Sequence, residues 1–320
     1  MGERKQVMRC LVVGGAGFIG SHLAERLVAQ TGVSVTVFDN LSVGKVEFLN
    51  RALEGACRLV QGDALELPAL EQAMAGHDTV FHLAANPEAR WGLENPRLDL
   101  EQGTICTWNV LEAMRRTGAK RLVFSSSGTM YGDTAELCAE GDLGKLPISL
   151  YGASKFAGEA LISAFVECFG LSAWIYRFGN VVGPRGTHGA ALDFLNKLKA
   201  NPEELEVLGD GHQSKPYVHV DDCVAGVLFG LENARERLNI HNISPADFTS
   251  VRRIAELCIA ASPHPNARIR YTGGERGWPG DVPHSRLNAD RLAALGFRVS
   301  RSSDEAVAAA VQALAKQVFG

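Results

Sequence analysis

The sequence has little that would tie the protein to a membrane or to a nucleic acid. No apolar run approaches the roughly 18 residues of a membrane-spanning helix, and the run that follows the charged segment Met1–Gln6 is too short for a signal peptide. The net charge is only −4 over 320 residues, with acids and bases interspersed, so no basic face is expected. We therefore expect a cytoplasmic protein without nucleic-acid or membrane partners.

Paired cysteines are also lacking. The seven cysteines are scattered and form no Cys-x-x-Cys pair, which argues against a disulfide framework and against a zinc site. We find no internal repeat, no low-complexity segment and no pattern of metal ligands. Since 46% of the residues are hydrophobic, the chain can build a sizeable core in one large domain or two.

The most informative stretch that is present is a glycine-rich turn, Gly14–Gly20. The short apolar run Cys10–Val13 before it is typical of a strand buried on both faces of a parallel sheet. A helical pattern of apolar residues begins at Phe18. The Gly-x-Gly-x-x-Gly spacing between a strand and a helix is that of a dinucleotide-binding turn, in which the helix N-terminus faces the pyrophosphate.

Asp39 indicates which dinucleotide would bind. It ends the next predicted strand, Val33–Asp39, about 20 residues after the glycine turn, which is the usual distance. A carboxylate there accepts a hydrogen bond from a ribose 2′-hydroxyl and repels a 2′-phosphate, so the sequence predicts NAD rather than NADP. A glycine turn without a ligand is the alternative, and Asp39 argues against it.

Predicted strands and helices alternate along the chain, which favours an α/β, Rossmann-type doubly wound parallel sheet. Further strands are predicted at 58–63, 79–85, 120–125, 172–177 and 238–243, and long helices at 96–116 and 151–170. Because the composition changes after residue 183, we predict two domains. Residues 1–183 plus about 213–245 would form the NAD-binding domain, and about 184–212 plus 246–320 a smaller, discontinuous substrate domain.

Tyr151 and Lys155 stand four residues apart on a predicted helix. This spacing places both side chains on one face, with Cβ atoms about 5–6 Å apart. A neighbouring ammonium favours the phenolate and lowers the pKa of a tyrosine from about 10. Tyr151 would then act as a general base on an alcohol that loses hydride, and the Ser127 hydroxyl, which ends a strand, could hydrogen-bond the reacting oxygen.

A series of short motifs marks the chain from end to end. They are Gly14-x-x-Gly17-x-x-Gly20, Asp39, Gly62-Asp63, His82-Leu-Ala-Ala85, Ser125-Ser-Ser-Gly-Thr-Met-Tyr-Gly132, Tyr151-x-x-x-Lys155 and Arg177-Phe-Gly-Asn-Val-Val-Gly-Pro184. Together they resemble an extended short-chain dehydrogenase/reductase, and within that superfamily the UDP-glucose 4-epimerases and related nucleotide-sugar epimerases. The resemblance covers nearly the whole chain.

The resemblance implies roles for individual residues. Tyr151 would be the catalytic base, Lys155 its partner and Ser127 the catalytic serine, and Asp63 would accept from the adenine amino group. The residues implied to contact NAD are Gly14, Gly17, Phe18, Ile19, Gly20, Asp39, Asn40, Asp63, Ala64, Leu83, Ala84, Ala85, Ser125, Tyr151 and Lys155. Those implied to contact a nucleotide-sugar substrate are Ser127, Asn180, Lys215, Arg276, Asp281 and Ser285.

The chain departs from the family pattern at four positions. Gly103 stands where a cofactor-contacting asparagine is usual, and Lys215 stands where an arginine is usual, which keeps the charge but loses the bidentate fork. The usual Arg-x-Gly-Asp appears as Trp278-Pro-Gly-Asp281, so we expect Arg276 to supply the missing phosphate charge. Ser285 is small where a large residue would restrict the sugar pocket, which predicts tolerance of UDP-GlcNAc and UDP-GalNAc.

We predict an NAD-dependent 4-epimerase that interconverts UDP-glucose and UDP-galactose by transient oxidation at C4, and the family leads us to expect a homodimer through helices 96–116 and 151–170. A 4,6-dehydratase is one alternative, but Gly128-Thr129 stand where it has an acidic pair. A UDP-glucuronate epimerase or decarboxylase is another, and Arg90 is the only candidate for the carboxylate anchor that a decarboxylase needs. A non-catalytic NAD-binding protein would not need Tyr151 and Lys155.

Overall fold

The computed structural model describes residues 8–142 and 145–320 of the chain. The charged segment Met1–Gln6, on which the expectation about a signal peptide depends, lies outside the described residues. Residues 143 and 144 also lie outside them. Within the described ranges, no helix is long and apolar enough to cross a membrane.

Strands and helices alternate along most of the chain. The strands are β1 (Met8–Val13), β2 (Val33–Asp39), β3 (Cys57–Gln61), β4 (Thr79–His82), β5 (Arg121–Ser127), β6 (Ser172–Phe178), β7 (Asn180–Val182), β8 (Glu204–Val207), β9 (Ser214–Lys215), β10 (Tyr217–His219), β11 (Leu238–Ile243), β12 (Thr249–Ser250) and β13 (Arg268–Tyr271). The α-helices are α1 (Phe18–Val28), α2 (Asn50–Leu53), α3 (Leu67–Met74), α4 (Trp91–Glu94), α5 (Arg97–Asp99), α6 (Cys106–Thr117), α7 (Leu150–Phe169), α8 (Ala190–Ala200), α9 (Val220–Asn233), α10 (Val251–Ala261), α11 (Asp290–Ala294) and α12 (Ser303–Phe319).

Seven strands form the central sheet in the order β3-β2-β1-β4-β5-β6-β11, and every neighbouring pair is parallel. Strands in such a sheet are buried on both faces, which is why they read as continuous apolar runs; Cys10 to Val13 of β1 are at most 1% exposed. The strand order reverses between β1 and β4, and ligands bind in the crevice that this reversal opens at the carboxyl ends. The predicted Rossmann-type sheet is confirmed.

Helices cover both faces of this sheet. On one face α1 and α9 contribute Leu23 and Val224 to a buried cluster with the side chains of β1 and β2. On the other face α3, α6 and α7 contribute Leu70, Leu111 and Ile162 to a second cluster. The apolar stripes of these helices are thus buried against the sheet, and their N-termini lie at the carboxyl ends of the strands.

A separate core lies in the C-terminal part of the chain. Leu195 of α8, Ile254 of α10 and Val311 of α12 are at most 1% exposed and pack together with β8. This core supports a second unit made of about 184–212 and 246–320. Leu292 and Phe297, however, pack on the cluster of α1 and α9. The exact domain boundaries therefore stay a prediction.

The helix predicted at 96–116 is not regular in the structure. It consists of α5, a π-helical turn at Leu100–Ile105, and α6. At Gly103 this turn packs tightly on α7, since a Cβ atom at residue 103 would lie 2.3 Å from the Ser154 Oγ. Only glycine fits this contact. π-Turns change the direction in which side chains project from a helix and often occur at functional sites.

Candidate active site

A cavity of about 800 Å³ opens at the carboxyl ends of the strands, between the sheet and the C-terminal core. Residues from the glycine turn, from the loop after β4, from β5 and from the start of α7 border it on the sheet side. The loop after β7, α8 and the segment around Asp281 border it on the other side. All of the residues that we predicted to contact the cofactor border this cavity.

The glycine turn has the geometry of a phosphate cradle. Gly14 has a φ of 79°, and a Cβ atom there would lie 2.5 Å from the Ala84 backbone nitrogen. A Cβ atom at Gly20 would lie 2.3 Å from the Gly14 carbonyl oxygen, so α1 passes directly over the turn. The N-cap of α1, Gly17, has no side chain to occupy the first N–H groups of the helix. Those donors are available for a pyrophosphate.

Asp39 and Asp63 form an acidic end of the cavity. The two Asp39 oxygens accept hydrogen bonds from the backbone N–H groups of Ala16 (2.9 Å) and Leu41 (2.8 Å). Asn40 Nδ2 donates to Asp63 Oδ2 at 3.1 Å. Burial raises the pKa of Asp39, and the two backbone bonds offset part of this effect. These carboxylates keep free lone pairs, so they fit the hydroxyl and amino donors of an adenosine.

Ser127 and Tyr151 lie at the other end of the sheet edge. Ser127 is the last residue of β5, and its Oγ accepts from the backbone nitrogen (3.2 Å) and the Oγ1 (3.0 Å) of Thr129. Tyr151 lies in the first turn of α7, which Ser149 caps by accepting from the Gly152 nitrogen at 3.1 Å. The cap fixes where α7 begins and therefore where the phenol lies.

Lys155 is buried beneath the phenol, with 3% of its surface exposed. Its Nζ donates to the Ser125 carbonyl oxygen at 2.7 Å and lies 5.7 Å from the centroid of the Tyr151 ring. Burial lowers the pKa of Lys155 to about 8, although the nearby groups of Cys106, Asp99 and Glu159 act in the opposite direction.

The prediction that Lys155 lowers the pKa of Tyr151 is wrong for this structure. Burial raises the pKa of the phenol to about 12, the charge of Asp99 raises it further, and the Ser127 hydroxyl offsets only a part. The reason is geometric, because the Lys155 ammonium is bound to a carbonyl oxygen instead of to the phenol. Additional positive charge beside Tyr151, such as that of an oxidised nicotinamide, would favour the phenolate.

An ion pair that the sequence did not predict joins β6 to α7. Arg177 on β6 is 1% exposed, and its Nη2 lies 2.6 Å from the Glu159 Oε2 on α7. Ser126 donates its hydroxyl to the same carboxylate, and Arg177 also donates to the Tyr131 hydroxyl at 2.8 Å. This network ties β5, β6 and α7 together at Ser126, the residue before Ser127.

The predicted substrate residues divide into two groups. Ser127, Asn180, Lys215, Asp281 and Ser285 border the cavity, and Lys215 Nζ lies 2.7 Å from Asp281 Oδ1. Arg276 does not border the cavity, because its Nη2 is bound to Asp133 Oδ2 at 2.6 Å. Lys215 is thus the cation on this wall, and a phosphate contact by Arg276 stays a prediction.

Sequence reasoning missed several residues that border the cavity. Gln102 is one of them. It precedes Gly103, the position at which the sequence suggested that a cofactor contact is missing or replaced. The π-turn places Gly103 against α7 and leaves the amide of its neighbour at the cavity. Others are Glu88 and Asp193. No sequence motif marks these residues, which the loop after β4 and the start of α8 bring to the site.

Comparisons with known proteins agree with this geometry. The profile of the NAD dependent epimerase/dehydratase family matches residues 10–244. A putative UDP-glucose 4-epimerase of Methanocaldococcus jannaschii is 32% identical over 253 residues, which span 77% of this chain and 80% of the relative.

Two solved structures are similar over nearly their whole length. The crystal structure of a UDP-galactose 4-epimerase is 37% identical, with a TM-score of 0.86, and the match covers 98% of this chain and 100% of that one. The structure of MoeE5 in complex with UDP-glucuronic acid and NAD is 27% identical, with a TM-score of 0.83 and coverage of 97% and 99%. This chain belongs to the NAD-dependent epimerase/dehydratase family of enzymes, and its cofactor is NAD.

Proposed function

We propose that the enzyme is a nucleotide-sugar 4-epimerase that interconverts UDP-glucose and UDP-galactose. The observation that carries this proposal is that Ser127, Tyr151 and Lys155 border one cavity with the glycine turn, while Gly128 and Thr129 follow the serine. One acid–base residue suffices to oxidise and reduce C4. Loss of water from the sugar requires further acid–base groups, and the two residues after Ser127 supply none.

Each residue has a definite task in this reaction. Bound NAD supplies the hydride acceptor, and in its reduced form the hydride donor. Tyr151 removes the proton from the 4-hydroxyl group while the hydride leaves C4, and it returns a proton to the same oxygen in the second half of the reaction. The Ser127 hydroxyl positions that oxygen. Lys155 donates to the Ser125 carbonyl oxygen and so holds α7, which carries the phenol, against β5.

Epimerisation also requires that the 4-keto sugar presents its other face before the hydride returns. The nucleotide must then be held firmly and the sugar loosely. Lys215 and Asn180 border the cavity, where they would hold the diphosphate. Ser285, a small residue that also borders it, would leave space for an N-acetyl group, and we extend the proposal to UDP-GlcNAc and UDP-GalNAc.

A uronate-specific activity is the second candidate, since one similar structure is in complex with UDP-glucuronic acid. The ion pair of Arg90 argues against this activity, because Arg90 is the only candidate that the sequence offered for a carboxylate anchor. Glu88 occupies its guanidinium, with an Nη2···Oε2 distance of 2.9 Å. We therefore favour neutral hexoses as substrates.

We also propose that two copies of the chain associate through α6 and α7. Leu100, Ile105 and Trp108 are exposed by 50%, 38% and 42%, and Leu150 of α7 by 44%. These are large apolar side chains on neighbouring helices outside the sheet. Covering them with the same face of a second copy would remove them from water in the way that isologous dimers do.

The proposed function is tested by incubating the purified protein with UDP-galactose and with UDP-GalNAc, without added NAD. We expect both to yield their 4-epimers, because the cofactor is regenerated in each turnover. Tyr151→Phe should lose at least about a hundredfold in turnover, the low end of what a general base contributes, and should still hold NAD. If neither sugar nucleotide is converted by protein that contains NAD, the epimerase proposal is wrong.

A further inference from the structure

The loop that follows β4 holds a carboxylate and a guanidinium together at the edge of the cavity. Arg90 donates to the two oxygens of Glu88 from Nε (3.1 Å) and Nη2 (2.9 Å), and its backbone nitrogen donates to Oε1 at 3.2 Å. Asn86 braces the loop, because its Nδ2 donates to the Glu88 carbonyl oxygen at 3.0 Å and its Oδ1 accepts from the Glu88 nitrogen at 3.2 Å. The Glu88 carboxylate is therefore fixed in place.

Both residues of the pair border the cavity that contains the catalytic residues. Glu88 and Arg90 border the same cavity as Ser127 and Tyr151. Their loop follows β4, which lies beside β5 in the sheet, so it begins one strand away from Ser127. The Glu88 side chain is 13% exposed and that of Arg90 38%. The charge of Asp281, which binds Lys215, also acts on Arg90, so the pair lies at the cavity between the catalytic residues and the segment that carries Asp281.

Arg90 is the cation best placed to bind an acidic sugar. Among the described residues, the arginines and lysines that border the cavity are Arg90, Lys155 and Lys215. Lys155 is bound to the Ser125 carbonyl and Lys215 to Asp281. An arginine fork binds a carboxylate bidentately, but here Glu88 already takes that position, and the hydrogen bonds to Glu88 raise the pKa of Arg90.

The other charges at this point add no attraction for an anion. The carboxylates of Asp193 and Asp281 act on Arg90, and burial lowers the pKa of the neighbouring His188, which favours its neutral form. A carboxylate on the sugar would meet Glu88 while the guanidinium is engaged. Juxtaposed like charges discriminate strongly between ligands of the same shape.

We propose that Glu88 closes a carboxylate-binding subsite that Arg90 would otherwise form, so that the enzyme selects nucleotide-linked neutral hexoses over hexuronic acids. This inference rests on the proposed function, since it takes the substrate to be a nucleotide sugar. Specificity here comes from an internal carboxylate that competes with the carboxylate of the wrong ligand.

The test compares the binding of UDP-glucose and of UDP-glucuronate to the NAD-loaded enzyme by calorimetry. Glu88→Gln keeps the shape of the side chain and removes its charge, and we expect the ratio of the two dissociation constants to shift toward UDP-glucuronate by about tenfold or more. Glu88→Ala, which also frees the guanidinium fork, should shift it at least as far. Glu94→Gln removes the same charge from exposed α4 and should leave the ratio unchanged.

A double variant identifies the group that accepts the carboxylate. Glu88→Gln with Arg90→Gln should lose the gain in UDP-glucuronate binding. The inference is overturned if Glu88→Gln leaves the ratio as in the parent, or if the gain survives in the double variant. If the parent enzyme binds neither UDP-glucose nor UDP, the proposed function fails instead, and the two failures are therefore distinguishable.

Discussion

The Lys155 ammonium donates to the carbonyl oxygen of Ser125 at a distance of 2.7 Å. Ser125 lies on β5, two residues before Ser127, and Lys155 lies on α7, one helical turn after Tyr151. This hydrogen bond therefore fixes the catalytic helix against the catalytic strand, and it holds a buried positive charge under the phenol.

The charge of Lys155 predicts how the activity depends on pH. Because burial lowers the pKa of Lys155 to about 8, the ammonium loses its proton as the pH rises through this value. The charged hydrogen bond to the Ser125 carbonyl then weakens, and kcat/KM for UDP-galactose should fall. The Tyr151 phenol, with a pKa near 12, does not titrate in this range. Lys155→Arg keeps its charge and should move the alkaline limb of the kcat/KM profile upward. If the alkaline limb of the kcat/KM profile is unchanged in this variant, a group other than Lys155 causes it.

The Arg177–Glu159 pair predicts a stability effect. With both side chains buried, Arg177→Met leaves an unpaired carboxylate, and we expect the free energy of unfolding to fall by roughly 3–5 kcal/mol. Urea denaturation measures this loss. Since a buried pair is often replaceable by apolar residues, Arg177→Met with Glu159→Leu should recover most of it. A single variant that is as stable as the parent would contradict the account.

Much of the fold was predictable because local sequence determines it. β2 and β11 begin and end at the predicted residues, since each run of apolar and β-branched residues is bounded by glycine or polar residues. The π-turn at Leu100–Ile105 was not predictable, because it depends on the contact with Ser154, which is distant in sequence.

The site shows the same division between local and distant determinants. The predicted cofactor and catalytic residues, from Gly14 to Lys155, border one cavity. The ion pairs of Lys215 with Asp281 and of Arg276 with Asp133 join positions 66 and 143 residues apart. No pattern in the sequence indicates such partners, so the free charge that a diphosphate would meet could not be derived.

Two buried histidines predict how stability depends on pH. Burial lowers the pKa of His82 to about 3 and that of His241 to about 4, whereas an unfolded histidine titrates near 6.5. Below pH 6.5 the unfolded chain therefore binds more protons than the folded protein does. The free energy of unfolding is highest above that pH and decreases as the pH falls toward 4. The slope is at most about 1.4 kcal/mol per pH unit for each histidine. Urea midpoints between pH 7 and 4 should show a shallower slope in His241→Phe, and an identical slope would exclude this residue.

The exposed apolar side chains of the π-turn, α6 and α7 predict the assembly. Trp108→Glu places a charge in the centre of the proposed dimer face, where Trp108 is 42% exposed. We expect the parent protein to sediment as a dimer and this variant as a monomer at the same concentration. Leu137→Glu, a change at a residue that is 59% exposed outside α6 and α7, is the control and should stay dimeric. A monomeric parent protein would refute the proposed assembly.

The contact between Gly103 and Ser154 predicts that the π-turn and α7 constrain each other sterically. Gly103→Ala would bring a methyl group within 2.3 Å of the Ser154 Oγ and 2.5 Å of its Cβ, so the π-turn must move away from α7, at a cost of about 1–3 kcal/mol. The double variant Gly103→Ala with Ser154→Gly lacks both of these Ser154 atoms. Its free energy of unfolding should therefore be higher than the sum of the two single-variant changes predicts. Because Gln102 borders the cavity from the same turn, the single variant should also hold NAD more weakly, measured by the NAD released on gel filtration. Additive stability changes in the double variant would mean that the two helices do not constrain each other at this point.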